Sequence, residues 1–430
     1  MNGGLRAGLQ LYTLRWICTG CLPLDLVSID TYPFCLDIDA EYGLPFAGYR
    51  WENSAMTLAL ARGFKEDIPF WVTETQAGLC GEIMAPIRKN QLTLWAAQQL
   101  FYGSKISTYF PFRTCRFGSE QTLFGLIDWD DRPSPRFKEA ADVSRMTEKL
   151  GDIRAFRHKA KVAILRDFVC DWIFGTLRLS GRFRYLKHIG ECYRALLHAG
   201  IACDIVSMDT DFSAYDVLLL PSAVTLKEET AQRLEAFVKE GGRVIVTALS
   251  SYVNEESNFT TDLRPRFLTE LCGCRVEDMY EPEKAEGISY YGASLRADYW
   301  CEQIALSTGR PAAVYDSSSY FGGTPAIVEN TYGRGTAYYL ATILDADGYE
   351  RFFEDILSDC LSPVRGRGVE TIPGVLADDT PCVAVINHSD QVQTVRVPEN
   401  YRCLFSRQEN AVPGRVPQYD IQVWAVSTEK

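Results

Sequence analysis

No histidine occurs in the first 150 residues of this 430-residue chain; His158, His188, His198 and His388 all come later. Any acid–base chemistry in the N-terminal third must therefore use carboxylates, and a Ser-His-Asp arrangement is excluded there. Positive charge is also scarce. With 44 Lys and Arg against 56 Asp and Glu, the net charge of -12 argues against nucleic acid as a partner, because phosphates are neutralised by clustered basic residues. No apolar run approaches the roughly 20 residues that cross a bilayer, so no membrane partner is expected. The N-terminal stretch MNGGLRAGLQLYTLRW lacks the apolar segment and cleavage site of a signal peptide. The expected compartment is the cytoplasm. Internal repeats and low-complexity segments are absent too.

The 14 cysteines are scattered rather than dense, which points to free thiols in a reducing compartment instead of a disulfide framework. Cys18 and Cys21 form a lone CxxC, and Cys272 and Cys274 a lone CxC. Neither has the second pair or nearby histidine that would complete four zinc ligands, so neither a metal nor another cofactor is expected.

What is present is an alternation of strand and helix. The runs Leu24 to Phe34, Ile68 to Thr75 and Lys105 to Phe112 are apolar or β-branched and end in polar residues. Ala55 to Phe64 and Asn90 to Gly103 carry apolar residues at helical spacing between them. This is the rhythm of a parallel sheet. A helix from Ser134 to Gly151 follows, and then a second α/β unit. Its strands are expected near Lys161 to Asp167, Gly200 to Met208, Tyr215 to Ala223, Arg243 to Leu249 and Gly333 to Leu344, as in an open doubly wound sheet. Asn258 falls in a polar surface loop. Beyond Pro363 the pattern turns to short alternating strands of a compact β-sandwich.

A length of 430 residues exceeds one hydrophobic core and suggests two to four domains. The pattern alone gives a parallel α/β unit, then an open doubly wound parallel sheet, then a small β-sandwich.

The stretch PFWVTETQAG carries Glu74 at the mouth of an apolar strand, where β/α barrels place their chemistry. A charge in the middle of such a strand would be buried at great cost, so its position at the end points to use. Glu120, in RTCRFGSEQTLFG, follows the third strand and fits either a substrate-facing acid or a solvated charge. Tyr32 ends the first strand, as an interface aromatic or a site residue, and Asp30, as close to that strand end, fits either a site residue or a buried hydrogen-bonding partner.

The segments DLVSIDTYP, FWVTETQAG and ISTYFPFRTCRFGSEQTLFGLIDWDDRPSPRFKEAADVSR resemble the last barrel strands of family 42 glycoside hydrolases, the β-galactosidases. In that family a Tyr ends one late strand, the nucleophile Glu ends the next, and a sugar-binding Glu follows the last. Tyr32, Glu74 and Glu120 match these in order, separated by 42 and 46 residues. The resemblance implies a galactoside or oligosaccharide substrate, retaining hydrolysis with Glu74 as nucleophile, and a homotrimer; it also implies a partial β/α (TIM-type) barrel at 1–150, a flavodoxin-like doubly wound parallel sheet as trimerisation domain at 158–364 and a small β-sandwich at 365–430.

The chain departs from the family at two sugar-facing positions. Glu82 stands where a Trp is usual, and Leu123 where a His is usual. The general acid/base, an earlier Asn-Glu strand end, has no counterpart: Glu41 and Glu52 follow no apolar strand. The expectation is an N-terminally truncated relative, impaired in hydrolysis, or alternatively a non-catalytic assembly or sugar-binding remnant. An amidotransferase reading of the second unit fails for want of a Cys in a turn after a strand, where LLLPSAV offers Ser222.

Overall fold

Three short runs rich in β-branched and aromatic residues become parallel strands: β1 (Ser28–Thr31), β2 (Trp71–Gln76) and β3 (Ile106–Phe110). They pair in the order β1-β2-β3. Parallel neighbours need a crossover, and helices α1 (Trp51–Arg62) and α2 (Gln91–Phe101) provide it. The structure, a computed structural model, describes residues 25–34, 50–65, 68–79, 87–408 and 412–427.

Only one face of this sheet is covered among the described residues. Ile29 and Val72 are buried on the helix side, whereas Trp71 and Ile106 on the other remain 36% and 39% exposed. Among the described residues these strands therefore have an open face. Behind the covered face, Phe34, Ala77, Leu92, Trp95 and Leu126 form a core cluster. Helix α3 (Pro135–Leu150) starts with proline at its first turn, where the missing N–H costs nothing, and stops at Gly151 with φ +51°. A two-residue strand, β4 (Arg157–His158), follows.

The chain divides into two compact units, the first made of Met1–Ala160, Gly200–Ala202 and Asp359–Lys430, the second of Lys161–Ala199 and Cys203–Ser358. In the second unit, β5 (Val162–Arg166) leads into α4 (Phe168–Leu177) and α5 (Tyr185–His198). Strands β6 (Cys203–Ser207) and β7 (Val217–Leu220), helix α6 (Glu228–Lys239) and strand β8 (Arg243–Thr247) follow. The strand VLLL of β7 is buried throughout, as a central parallel strand must be.

No strand is expected from the sequence between Leu249 and Gly333, yet five lie there: β9 (Cys274–Tyr280), β10 (Glu286–Tyr290), β11 (Ala293–Leu306), β12 (Arg310–Tyr315) and β13 (Pro325–Tyr332). Expected residues 333–344 divide into β14 (Gly335–Leu340) and β15 (Thr342–Leu344), ahead of α7 (Ala346–Ile356). All eleven strands share one mixed sheet. Its parallel half runs β6-β5-β7-β8-β14, which is the order 2-1-3-4-5 when its strands are numbered along the chain. The inserted strands extend it antiparallel beyond β14.

The rest of the first unit is antiparallel: β16 (Glu370–Val375), β17 (Pro381–Asn387), β18 (Gln393–Thr394), β19 (Tyr401–Ser406), β20 (Arg415–Val416) and β21 (Asp420–Val426). One sheet runs β19-β21-β17-β16-β4, and β18 and β20 form a ribbon. Val395 and Val416 of the ribbon side pack with Val383, Val385 and Trp424 of the sheet in one core. The strands are tied to α2 by the buried Glu370 carboxylate, which accepts from Gln98 Nε2 at 2.9 and 3.1 Å and lies 2.8 Å from His388 Nε2. The His388 ring in turn stacks on Trp51 with centroids 5.2 Å apart. Among the described residues no helix is long and apolar enough to cross a membrane.

Candidate active site

The position of Glu74 depends on one irregular residue. Ile29 and Asp30 are consecutive in β1, but their partners in β2 are Val72 and Glu74, so Thr73 is an extra residue in the ladder. Strict alternation from the buried Val72 would carry Glu74 to the helix side. The bulge resets the phase, placing Glu74 opposite Asp30, both partly exposed, and Thr75 opposite Thr31, both buried. A carboxylate that would otherwise face the core thus reaches the open face.

Hydroxyls hold the bulge in place. Thr73 Oγ1 donates its one proton to Asp30 Oδ1 at 2.9 Å, with the Ile29 carbonyl 3.3 Å away, and Thr108 Oγ1 donates to the Thr73 carbonyl. From the helix side, Gln99 Nε2 of α2 reaches Thr31 Oγ1 and Thr75 Oγ1 at 3.0 and 3.1 Å, clamping β1 and β2 together just past the bulge. Gln76 continues the clamp by accepting from Phe34 N at 3.2 Å and donating to the Gly78 carbonyl at 2.9 Å.

Tyr32, immediately after β1, donates its hydroxyl to Glu74 Oε2 at 2.6 Å. A hydrogen bond this short to a carboxylate fixes the plane of the acid. Glu74 Oε1 accepts no hydrogen bond among the described residues. Asp30, expected as a buried hydrogen-bonding partner, is instead half-exposed and accepts from Thr73 Oγ1 at the open face.

Glu120 lies in an exposed turn whose backbone carbonyl accepts from Leu123 N at 3.0 Å. The turn is anchored to the end of the Glu74 strand, since Phe124 N donates to the Leu79 carbonyl at 2.9 Å. At Gly78 a Cβ would come within 2.3 Å of the Phe124 carbonyl oxygen, so only glycine allows this approach. The structure joins Tyr32 directly to Glu74 and ties the Glu120 turn to the same strand end by backbone. Leu123, where the family usually has His, is buried. Glu52 sits in the first turn of α1, a favourable place for an acid at a helix N-terminus. Glu41, Glu82, Cys18 and Cys21 lie outside the described residues. Cys272 and Cys274 are buried thiols of the second unit.

Sequence reasoning missed Thr73, Thr75, Gln76 and Gln99, the residues that aim the acid. Buried Gln and Thr at strand ends carry a signal only once the bulge is known.

Comparison with known proteins adds a second line of observation. Residues 21–150 match the family described as Beta-galactosidase, and 160–361 match Beta-galactosidase trimerisation domain. The β-galactosidase GanA of Bacillus subtilis is 26% identical over 93% of this chain and 60% of its own length. The β-galactosidase BgaH of Haloferax lucentense is 30% identical over 74% of this chain and 48% of its own. A solved β-galactosidase from Bacillus circulans sp. alkalophilus superposes with a TM-score of 0.83 at 25% identity, covering 94% of this chain and 60% of that one. The chain spans about 60% of the length of such relatives.

Proposed function

The chain belongs to glycoside hydrolase family 42, the β-galactosidases, and from that premise we propose that its first unit carries the nucleophile side of a retaining β-galactosidase site. The observation that carries this reading is the Tyr32 hydroxyl on Glu74 Oε2, on a strand bulged so that the acid meets the open face. Glu74 Oε1 attacks the anomeric carbon of a terminal β-galactoside. The bond from that carbon to the leaving oxygen breaks, and a glycosyl ester forms on Glu74. Tyr32 keeps the carboxylate in register through the step. Glu120 binds sugar hydroxyls from the turn tethered to the same strand.

A retaining mechanism needs a second carboxyl about 5 to 5.5 Å away to protonate the leaving oxygen and later deprotonate water. We assign that group to none of the described residues. An aryl galactoside with an acidic phenol leaves as phenolate without a proton and is the substrate of choice for the chain alone.

On this reading β1 to β3 are part of a β/α barrel, the second unit is a flavodoxin-like trimerisation domain in a cytoplasmic homotrimer, and the C-terminal strands form a small β-sandwich. The match of residues 160–361 to the trimerisation domain supports the assembly, and a monomer by light scattering would remove it.

A 2-fluoro-galactosyl inactivator tests the site. The expected result is one stable adduct on the peptide containing Glu74. An adduct on another carboxylate would overturn the assignment, and no adduct with no turnover of an activated aryl galactoside would leave an assembly or sugar-binding remnant in its place. Glu120→Ala is expected to raise KM more than it lowers kcat.

A further inference from the structure

The second unit has a cleft that the glycosidase reading does not use. Strand β5 lies between β6 and β7, so the chain leaves β5 in one direction to reach β6 and the sheet grows in the other direction to β7. Such a switch point opens a crevice beyond the carboxyl ends of the strands, where open α/β sheets take their ligands. A cleft of about 340 Å³ is found there. Asp167 follows β5, Met208 and Asp209 follow β6, Thr225, Leu226 and Lys227 link β7 to α6, and Glu255 adds a further carboxylate to the lining. The volume is at the small end of ligand sites, which run from about 300 to 1,000 Å³.

Its chemistry is selective. Asp167 holds one oxygen on the backbone N–H of Val169 at 2.8 Å, capping α4. Thr225 is 5% exposed, and its Oγ1 has no hydrogen-bond partner among the described residues. An unpaired buried hydroxyl is costly unless something bound there satisfies it. The three carboxylates are acceptors, which favours a ligand rich in donors, while Lys227 repels a cation and itself donates. A neutral polyol meets both demands because each hydroxyl donates and accepts. Met208 and Leu226 offer apolar surface to a C–H face.

We propose that this cleft binds a neutral polyhydroxylated molecule of about one sugar ring, separately from the Glu74 site.

Hydrogen–deuterium exchange of the full chain, with D-galactose, D-glucose and spermidine as probes, tests this. The expected result is slowed exchange in residues 203–210 and 224–231 with at least one sugar, equally in the native chain and in Glu74→Gln. Asp209→Ala should weaken that protection by about tenfold, the loss of one hydrogen bond to a charged group, while exchange in β7 and β8 stays unchanged as a control for folding. No protection of these segments by either sugar overturns the proposal, and so does protection by spermidine alone. Sugar protection confined to residues 71–79 overturns it while leaving the glycosidase reading intact.

Discussion

Glu74 and Glu302 are carboxylates on strands of the two units, and their surroundings differ in kind. Glu302, in β11, is fully buried. Its Oε1 accepts from Leu249 N at 2.9 Å, Tyr252 Oη at 2.6 Å and Trp300 Nε1 at 3.2 Å, and its Oε2 from Tyr339 Oη at 2.6 Å. Glu74 has the single Tyr32 hydroxyl and an oxygen left over on an open face. A buried carboxylate that takes four donors from the fold holds structure together, because it is closed off from any substrate. One that is oriented by a single donor and otherwise available can do chemistry.

Two substitutions would break the comparison if it were wrong. Glu74→Gln should lower turnover of an activated aryl galactoside by about 10⁴-fold or more, the scale seen when a nucleophile is removed. Its urea unfolding should stay within about 0.5 kcal/mol of the native chain, since the side chain anchors little. Glu302→Ala should do the opposite kind of damage. It strands the Tyr252, Tyr339 and Trp300 donors in a dry core and should destabilise the second unit by about 3 to 5 kcal/mol, measured by urea denaturation. A Glu302→Ala chain as stable as the native one would show that the buried network does not hold the sheet.

The difference also explains what could be read from the sequence. Glu74 and Tyr32 were legible because a polar residue at the end of an apolar run is anomalous wherever it falls, and the three strands and intervening helices followed from period and punctuation. The bulge at Thr73 was not, because one extra residue in a run of Thr, Glu and Thr changes no local pattern; only pairing with Ile29 and Asp30 exposes it. The Glu302 network was invisible for a related reason. Its partners lie between Leu249 and Tyr339, and they meet only through strands β9 to β13, whose alternation across a half-covered sheet resembles loop composition more than the solid apolar runs of β5, β7 and β8.

Tyr32→Phe sharpens the contrast at intermediate size. Losing the one hydrogen bond that orients Glu74 should cost about 1 to 2 kcal/mol in the transition state, or roughly 5- to 30-fold in kcat/KM, with the 2-fluoro-galactosyl adduct still on Glu74. An unchanged kcat/KM would mean that the strand alone aims the acid.

The smallest expected effect is a pH dependence confined to the second unit, and two buried groups push it in opposite directions. Burial raises the Glu302 carboxyl above its ordinary value of 4.5 despite its hydrogen bonds. Between 4.5 and that raised value the folded chain keeps a proton that the unfolded chain has released, so this contribution to stability declines as pH rises through the window. Burial lowers His188, whose Nε2 lies 2.7 Å from Tyr349 Oη and whose Nδ1 lies 3.0 Å from Ser222 Oγ, from 6.5 to about 3. There the unfolded chain takes up a proton that the folded chain refuses, so stability falls as pH drops below 6.5. Glu302→Gln removes the first contribution and retains the acceptor oxygen for part of the network. Its urea midpoint should therefore rise more steeply with pH between 4.5 and 6.5 than that of the native chain, because the opposing Glu302 contribution is gone. Parallel profiles for the two would show that Glu302 titrates alike in the folded and unfolded chain, and that its four donors offset its burial completely.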